Sequence, residues 1–481
     1  MVYSLNDYYK IKLSHYRLID MTLLAIDWGS VGLKAAQLLL SLSILVVLHE
    51  FGHYITAKWF KCRVEKFYLF FDPWFSIVKK KVGDTVYGIG WLPLGGYVKI
   101  AGMVDESMDK EAMKLPPQPW EFRSKPAWQR LIIMLGGVTV NILLAFIIYA
   151  GILMVWGEKK IPASSLKYGI SFNDSLFNDL GFKNGDKVLA VDGKEVVQYT
   201  DILKKVLVVN KDVTVERDGK EVILAMPVNL IGKLVEKKKL TEGPLISPRV
   251  PVMVAAIEDT SVAYAAGLRA GDLILSVDSV KTQFYDEFSA FMKKQKKGDT
   301  INLEVKRNDS IINLTKTLIT GGKIGFNQPN SHEQFDSLGI YKFEVKKYGF
   351  FAAFPAGVKR AGVELQFYID QFKKILSPET GAYKGVGGFK AMGSVFSGTE
   401  WNWEHFWTIT AFFSIILAFM NLLPIPALDG GHVLFTLGEM VTGRKPSEKF
   451  LEYAQIGGMI VLLALMLYAN GNDWFGWGKG R

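Results

Sequence analysis

The chain has 481 residues, too many for one ordinary hydrophobic core, and its length predicts two to four domains. Hydrophobic residues make up 49% and charged residues 22%, a balance that excludes a disordered chain and leaves room for membrane spans. Cys62 is the single cysteine, which excludes an intrachain disulfide and any metal site built on several thiolates. A formal net charge of +10 can indicate a nucleic-acid partner, but basic residues that flank membrane spans explain it equally well, so we expect no nucleic-acid partner.

Four uncharged apolar runs predict four transmembrane helices, since a helix needs about 20 apolar residues to cross a bilayer. The runs cover residues 35–48, 131–156, 406–428 and 453–472, and the first is long enough only if it continues to about residue 57. Their number and length argue against buried core helices of a soluble protein. The first run has no clear cleavage site for a signal peptidase, so we expect it to be retained behind an N-terminal tail at 1–30.

Basic residues flank these spans unevenly. They are concentrated in two segments, 58–130 and 430–452. The positive-inside rule predicts that these segments are cytoplasmic, and that residues 157–405 and both termini are extracytoplasmic. The two halves of the membrane core are then 31–157 and 401–481, and the expected location is a bacterial inner membrane.

The long segment between spans two and three contains a duplication. GFKNGDKVLAVDGKEV at 181–196 aligns with GLRAGDLILSVDSVKT at 267–282. VERDGKEV at 215–222 aligns in the same way with VKRNDSII at 305–312. Each copy is typical of a helix end, a Gly-Asp turn and an apolar strand.

The repeated pattern resembles PDZ domains, with boundaries predicted at 160–238 and 245–325. The resemblance implies binding of peptide carboxyl ends by strand addition, and the alternative is a pair of β-rich spacers that only filter by size. Residues 326–400 form the predicted linker. Within it, the mixture of apolar and basic residues at 349–377 predicts an amphipathic helix on the membrane surface, or else a helix packed on the second repeat.

The most specific signal is the sequence His49-Glu50-Phe51-Gly52-His53 at the end of the first run. Histidines four residues apart lie on one helix face, so both imidazoles can reach one tetrahedral Zn²⁺. Glu50 borders that face, where a carboxylate can act as a base without binding the metal. The alternative, polar groups that cap the wet end of a helix, is disfavoured because ionisable groups beside an apolar span are costly unless they have a function.

A catalytic zinc usually has three protein ligands. No histidine lies between His53 and His332, but Asp429 ends the third apolar run at a similar predicted depth in the membrane. Asp429 is therefore the predicted third ligand. The alternative is an acid that merely ends a helix before the Gly430-Gly431 turn.

Three features together resemble the site-2 protease family of intramembrane zinc metalloproteases, in its bacterial regulator-of-sigma-E form. They are the HEFGH motif, the two PDZ-like repeats and the motif NLLPIPALDGG at 421–431. The resemblance covers about residues 21–475. It implies that His49, His53 and Asp429 bind zinc and that Glu50 is the catalytic base.

The glycine-rich element of that family is matched by Gly95, Gly96 and Tyr97. The resemblance implies that residues 84–100 form a β-hairpin that dips into the membrane. The predicted fold is therefore a multi-pass α-helical membrane protein with four transmembrane helices, this hairpin, and two extracytoplasmic PDZ-like α/β domains.

The chain departs from the family pattern at two places. GVTVN at 137–141 and GVGG at 385–388 both lack the usual proline. We expect neither departure to touch a metal ligand.

The resemblance implies cleavage of peptide bonds within transmembrane segments, as in the release of an anti-sigma factor or the clearance of signal-peptide remnants. A substrate helix must first be unwound before its peptide bonds can be reached. We expect the unwound segment to bind by strand addition at the hairpin and by hydrogen bonds from Asn421, beside a helix break at Pro424. The expected partners are transmembrane-helix substrates, lipid and peptide carboxyl ends. The alternatives are a non-proteolytic scaffold with a vestigial metal site, and a metal transporter, which should have ionisable groups throughout the bilayer.

Overall fold

The computed structural model describes residues 27–103, 116–236, 244–296, 298–318 and 324–478. The α-helices of these residues are α1 Trp28–Trp59, α2 Ala127–Val155, α3 Ser175–Asp179, α4 Tyr199–Leu207, α5 Leu230–Glu236, α6 Val262–Ala265, α7 Tyr285–Met292, α8 His332–Ser337, α9 Phe350–Leu376, α10 Phe389–Ser394, α11 Trp403–Leu422, α12 Asp429–Thr442 and α13 Glu448–Phe475. The strands are β1 Val64–Val82, β2 Thr85–Ile100, β3 Glu158–Lys160, β4 Ile170–Phe172, β5 Lys187–Val191, β6 Lys194–Glu195, β7 Asp212–Arg217, β8 Lys220–Ala225, β9 Ile246–Pro248, β10 Ala256–Ile257, β11 Leu273–Val277, β12 Val280–Lys281, β13 Thr300–Arg307, β14 Ser310–Leu318, β15 Phe326–Asn327 and β16 Glu344–Lys346.

Four helices in the described part of the chain, α1, α2, α11 and α13, are long and apolar enough to cross a membrane. Their number among the described residues matches the four predicted. Helix α1 begins earlier than predicted, at Trp28, because the Asp27 carboxylate accepts a hydrogen bond from the N–H of Ser30 at 3.1 Å and caps it. It continues through the HEFGH motif to Trp59. Residues 1–26 of the predicted tail lie outside the described residues.

Helices α1 and α2 cross at glycines. A Cβ added to Gly52 would overlap the Gly136 carbonyl, and a Cβ added to Gly136 would lie 2.5 Å from the Gly52 carbonyl oxygen. Two helix backbones can approach this closely only where side chains are absent. The crossing places α2 directly against the face of α1 that carries the two histidines.

The β-hairpin is larger than predicted. Residues 84–100 supply only β2, and the partner strand β1 begins at Val64. Strand β1 is bent near Trp74, where φ is +73°, so Lys66 pairs with both Val86 and Lys99. The first strand was not predicted because Pro73 and a run of lysines interrupt the alternation of apolar and polar residues.

The two copies of the repeat, called here the duplicated units, contain the same four-stranded antiparallel sheet. The strand order is β6-β5-β7-β8 in the first unit and β12-β11-β13-β14 in the second. In each unit a buried aspartate of the Gly-Asp turn pairs with an arginine at the end of the third strand in the chain. The pairs are Asp186 with Arg217 and Asp272 with Arg307, and all four nitrogen–oxygen distances are 2.7 Å.

The boundaries of the units differ from the predicted ranges. Strand β9 at 246–248 pairs with β4 and completes the first unit, although it lies inside the range 245–325 predicted for the second. Ile340 and Tyr341, from the predicted linker, are buried in the core of the first unit. These closing segments are not part of the repeated pattern, so the duplication alone could not assign them.

Helix α9 forms where an amphipathic helix was predicted. Its small residues Ala353, Gly357 and Ala361 are buried, and a Cβ on Gly357 would lie 2.7 Å from the backbone nitrogen of Ala150 in α2. Its Glu364 pairs with Lys204 of the first duplicated unit at 2.6 Å. The helix therefore joins the first unit to the spans, and its described contacts do not favour packing on the second repeat.

Candidate metal centre and active-site cavity

The third apolar run, predicted as a span over 406–428 with a helix break at Pro424, is not a single helix. Helix α11 ends at Leu422, before Pro424, which has no N–H to continue the helical ladder. The chain turns through Ala427, at a φ of +81°, and α12 begins at Asp429. A Cβ on Gly431 would lie 2.7 Å from the Ile425 carbonyl oxygen, so the turn requires glycine there. The break brings Asp429 back towards α1.

His49, His53 and Asp429 meet at one point. His49 Nε2 and His53 Nε2 lie 3.2 and 3.3 Å from Asp429 Oδ2, and 3.3 Å from each other. The two histidines are 7% and 6% exposed, so water does not solvate them freely. In the described part of the chain this is the one group of three metal-ligating side chains whose ligand atoms lie within 4.8 Å of one another.

The donor set fits a zinc ion. Tetrahedral ligands at about 2.0–2.1 Å from Zn²⁺ are separated from each other by roughly 3.3–3.4 Å, which matches the three distances. Apart from the two imidazole nitrogens, Asp429 Oδ2 is buried without a hydrogen-bond partner among the described residues. A buried carboxylate oxygen without a donor is costly unless it binds a cation.

Helix α2 orients both imidazoles from behind. His53 Nδ1 lies 2.9 Å from the Ile133 carbonyl oxygen, and His49 Nδ1 lies 3.1 Å from Asn141 Nδ2. A Cβ on Gly137 would lie 2.5 Å from His53 Nε2 and 2.6 Å from His49 Cε1. These contacts come from Gly137 and Asn141 and not from Val138, the position of the missing proline. The glycine crossing of α1 and α2 presses this face of α2 onto the histidines.

Glu50 lies between the histidines and the hairpin. It lines the same cavity as His49, His53 and Asp429, and its carboxylate is within reach of the backbone N–H of Val98 in β2. A Cβ on Gly96 would lie 2.8 Å from Val46 Cγ1 and 3.6 Å from Glu50 Cγ. The glycine thus lets strand β2 run close along α1, next to the carboxylate.

The cavity has a volume of about 730 Å³, and most of the predicted site residues line it. The predicted residues among its lining are His49, Glu50, His53, Gly95, Gly96, Tyr97, Asn421 and Asp429. Asn421 Nδ2 lies 3.3 Å from His49 Nε2, so its amide borders the metal position itself. Pro424 lies in the helix break and is not among the described lining residues.

Sequence reasoning missed Gln455 of α13. It lines the cavity, is 6% exposed, and its Oε1 has no hydrogen-bond partner among the described residues. A lone glutamine in an apolar span was the available signal, since an amide in a span usually has a polar partner or a function.

Comparison with known proteins agrees with this geometry. The profile of Peptidase family M50 matches residues 37–465. The chain belongs to peptidase family M50. This match confirms the resemblance to site-2 proteases that the motifs indicate.

Relatives of similar length support the same family. The regulator of sigma-E protease RseP of Escherichia coli is 26% identical over 459 residues, which cover 91% of this chain and 97% of that protein. Protease RseP of Yersinia pestis is 26% identical over 458 residues, with the same coverage of each chain. A protein of Xylella fastidiosa with a provisional zinc metalloprotease name is 27% identical over 464 residues, 91% of this chain and 98% of that protein. Family membership, these names and the four apolar helices support a membrane metalloprotease of the M50 family that uses zinc.

Proposed function

We propose that this chain is an intramembrane zinc metalloendopeptidase that hydrolyses peptide bonds within transmembrane segments of membrane proteins. The observation that carries the proposal is the convergence of His49, His53 and Asp429 beside Glu50, on a cavity at the end of a membrane-length helix. Because both the ligand set and the adjacent base are intact, a scaffold with a vestigial metal site is disfavoured.

In the proposed mechanism His49, His53 and Asp429 hold zinc. A zinc ion held there supplies a Lewis acid that polarises the scissile carbonyl and acidifies water. Glu50 takes a proton from the attacking water, whose oxygen bonds to the carbonyl carbon. As the carbon–nitrogen bond breaks, Glu50 returns that proton to the leaving amine nitrogen. The Val98 N–H, within reach of the Glu50 carboxylate, is suited to orient it for both transfers.

The substrate is proposed to lie extended along β2. Residues 92–100 of β2 pair with β1 on one side, and on the other side the cavity is lined by Gly95, Gly96 and Tyr97. Their backbone groups can pair with an unwound substrate segment as an added strand. Asn421 and Gln455 are placed to hydrogen-bond the same segment, since both line the cavity.

The membrane position of the hairpin is also a proposal. Its bent end carries Trp74, which is 91% exposed and stacks on Trp91 at a ring distance of 6.1 Å. Exposed tryptophan is typical of the membrane interface, which supports a hairpin that dips into the bilayer.

The duplicated units are proposed to be PDZ-like domains that control access to the cavity, by binding peptide carboxyl ends or by excluding bulky substrates. Their common strand order and their repeated aspartate–arginine pairs support this assignment. The proposed substrates are transmembrane proteins such as anti-sigma factors or signal-peptide remnants.

The proposed location is the bacterial inner membrane, with the duplicated units and both termini outside and the metal centre near the cytoplasmic face.

Cysteines introduced at the exposed positions Lys80 and Lys220 test this orientation. Cys62 should give little background, because it is buried and burial raises the pKa of its thiol. We expect an impermeant maleimide to label Lys220→Cys in intact cells and Lys80→Cys only after the membrane is opened. Labelling of both in intact cells would contradict the orientation.

The enzymatic proposal is tested by reconstituting the full chain in lipid vesicles with zinc and a membrane-spanning test peptide. We expect Glu50→Gln to reduce cleavage by about 10²- to 10⁴-fold, because it removes the general base. Glu404→Gln is the matched control, since Glu404 pairs with Lys159 at 2.7 Å and does not line the cavity. Cleavage that survives in Glu50→Gln, or that proceeds in zinc-free wild type, would refute the mechanism.

A further inference from the structure

Asn141 is a polar side chain buried in the membrane core directly behind His49. It is 0% exposed, and its Nδ2 lies 3.1 Å from His49 Nδ1. Its Oδ1 has no hydrogen-bond partner within the described part of the chain. The backbone oxygen of Asn141 accepts a hydrogen bond from Ser414 Oγ at 2.7 Å, so α11 holds the residue in place.

The Asn141 amide faces the ring nitrogen of His49 that points away from the candidate metal. The Nε2 atoms of His49 and His53 face the candidate metal, and a neutral imidazole that binds through Nε2 carries its proton on Nδ1. His53 Nδ1 has a carbonyl acceptor for that proton, the oxygen of Ile133 at 2.9 Å. For His49 Nδ1 the group within hydrogen-bond distance is the Asn141 amide, at 3.1 Å.

Hydrogen bonding decides which end of the amide faces the ring. The oxygen and nitrogen of an amide are nearly identical in shape, so packing alone does not distinguish them. Only the oxygen can accept the N–H of a metal-binding His49, and Oδ1 has no other hydrogen-bond partner within the described part of the chain. The geometry is therefore consistent with Oδ1 towards His49 Nδ1.

We propose that Asn141 is a positioning residue for His49, whose amide oxygen accepts the Nδ1–H of the imidazole and so leaves the Nε2 lone pair for zinc. The amide thereby selects the tautomer that can bind a metal and fixes the orientation of the ring. This inference rests on the proposed zinc site.

The placement of Asn141 follows from the periodicity of α2. Ile133, Gly137 and Asn141 are four residues apart and therefore lie along one face of the helix. Ile133 supplies the acceptor for His53, Gly137 supplies room for both rings, and Asn141 faces His49. This face of α2 forms a second layer behind the candidate metal centre, of the kind that orients and tunes metal-binding histidines.

The test is the zinc affinity of the purified full chain, measured by competition with a chelator. We expect Asn141→Leu to weaken zinc binding by about 10- to 100-fold, since it removes the acceptor for His49. Asn141→Asp keeps an acceptor and should bind zinc at least as tightly as the wild type. Thr410→Val is the matched control, because Thr410 is 0% exposed and bonds Ser41 Oγ at 3.0 Å without touching a histidine.

A second measurement reads the hydrogen bond directly. The chain has six histidines, so ¹⁵N labelling of histidine gives a tractable spectrum. In the zinc-loaded wild type and in zinc-loaded Asn141→Asp we expect the His49 Nδ1 proton to show the downfield shift of a hydrogen-bonded N–H. In zinc-loaded Asn141→Leu that shift should be lost, because leucine has no acceptor.

Several outcomes would overturn the inference. They are unchanged zinc affinity in Asn141→Leu, equal weakening in Asn141→Asp and Asn141→Leu, equal weakening in Thr410→Val, and the same His49 Nδ1 proton shift in Asn141→Leu as in the wild type. If Asn141→Leu does not fold, Asn141→Asp alone decides, since weakened binding there contradicts an acceptor role. A wild type that binds no zinc would refute the proposed function as well, whereas zinc binding by the wild type and Asn141→Leu alike refutes only the role of Asn141.

Discussion

The duplicated units and the membrane core both bury an aspartate, but they satisfy it in opposite ways. Asp272 is 0% exposed and accepts two hydrogen bonds from Arg307 at 2.7 Å and one from the backbone N–H of Arg269 at 2.8 Å. Asp429 is also largely buried, yet its Oδ2 has no hydrogen-bond partner among the described residues and faces two imidazoles. A saturated carboxylate holds a fold together, whereas one with an unused oxygen is available to a ligand.

Two neutral side chains near the metal centre resemble Asp429 in this respect. Asn141 and Gln455 are buried in the membrane core, and each has an amide oxygen without a partner in the described structure. A buried polar atom without a partner costs about 1–3 kcal/mol. Such atoms also occur in the duplicated units, at Gln198 and Thr282, so the argument for Asn141 and Gln455 depends on their position beside the metal centre and its cavity.

The largest expected effect comes from removing the space around the histidines. Gly137→Ala would place a methyl group 2.5 Å from His53 Nε2, so the rings must shift. We expect zinc binding and cleavage to fall by about 100-fold or more, because displacement of a reacting group by about 1 Å is enough for such a loss. Gly151→Ala, on the same helix with nothing within 4 Å of the added Cβ, should change neither. Equal behaviour of the two variants, measured by zinc content and cleavage rate, would contradict the packing argument.

An intermediate effect should separate the two aspartates. Asp272→Asn turns an amide donor towards Arg307, and we expect it to lower the free energy of unfolding of the second unit by about 1–3 kcal/mol. Asp429→Asn should cost the zinc-free protein less than this, since an amide can still pair with the imidazole nitrogens 3.2–3.3 Å from Oδ2, but it should abolish the stabilisation gained from zinc. Denaturant unfolding with and without zinc measures both quantities. A larger loss for Asp429→Asn in zinc-free protein would break the comparison.

The smallest expected effect concerns Gln455. If its unpartnered oxygen accepts a hydrogen bond from the substrate, Gln455→Leu should raise KM by about threefold to tenfold, the value of one ordinary hydrogen bond, with kcat little changed. Gln366→Leu serves as the control, because Gln366 bonds Asp370 on an exposed face of α9. An unchanged KM in Gln455→Leu, measured with the membrane-spanning peptide, would exclude the contact.

Short-range periodicity explains which parts of the fold and site were predictable. His49 and His53 lie on one helix face whatever the rest of the chain does, so their spacing predicts a metal pair. The duplication likewise predicts two similar units, and the described strand orders match. The boundaries of the units were less accurate, because β9 and Ile340 complete the first unit from outside the repeated pattern.

The role of Asn141 could not be predicted in this way. It faces His49 because Gly52 and Gly136 set the crossing of α1 and α2, and neither span reveals that crossing by itself. Gln455 faces the cavity for a related reason, since Gly458, one turn later, lets α13 pack on the Pro426 backbone.

The amino-acid sequence by itself determined the chemistry that is available to this protein: two histidines and a glutamate on one helix, an aspartate at a broken helix, apolar spans, and no second thiol. These properties depend on residue type and on spacing within a few turns of chain. The tertiary structure alone decided which atoms meet, from the 3.2–3.3 Å separations of the three ligand atoms to the amide behind His49. The physical reason is that close packing between distant segments depends on where side chains are absent, and only the assembled helices show where two such places coincide.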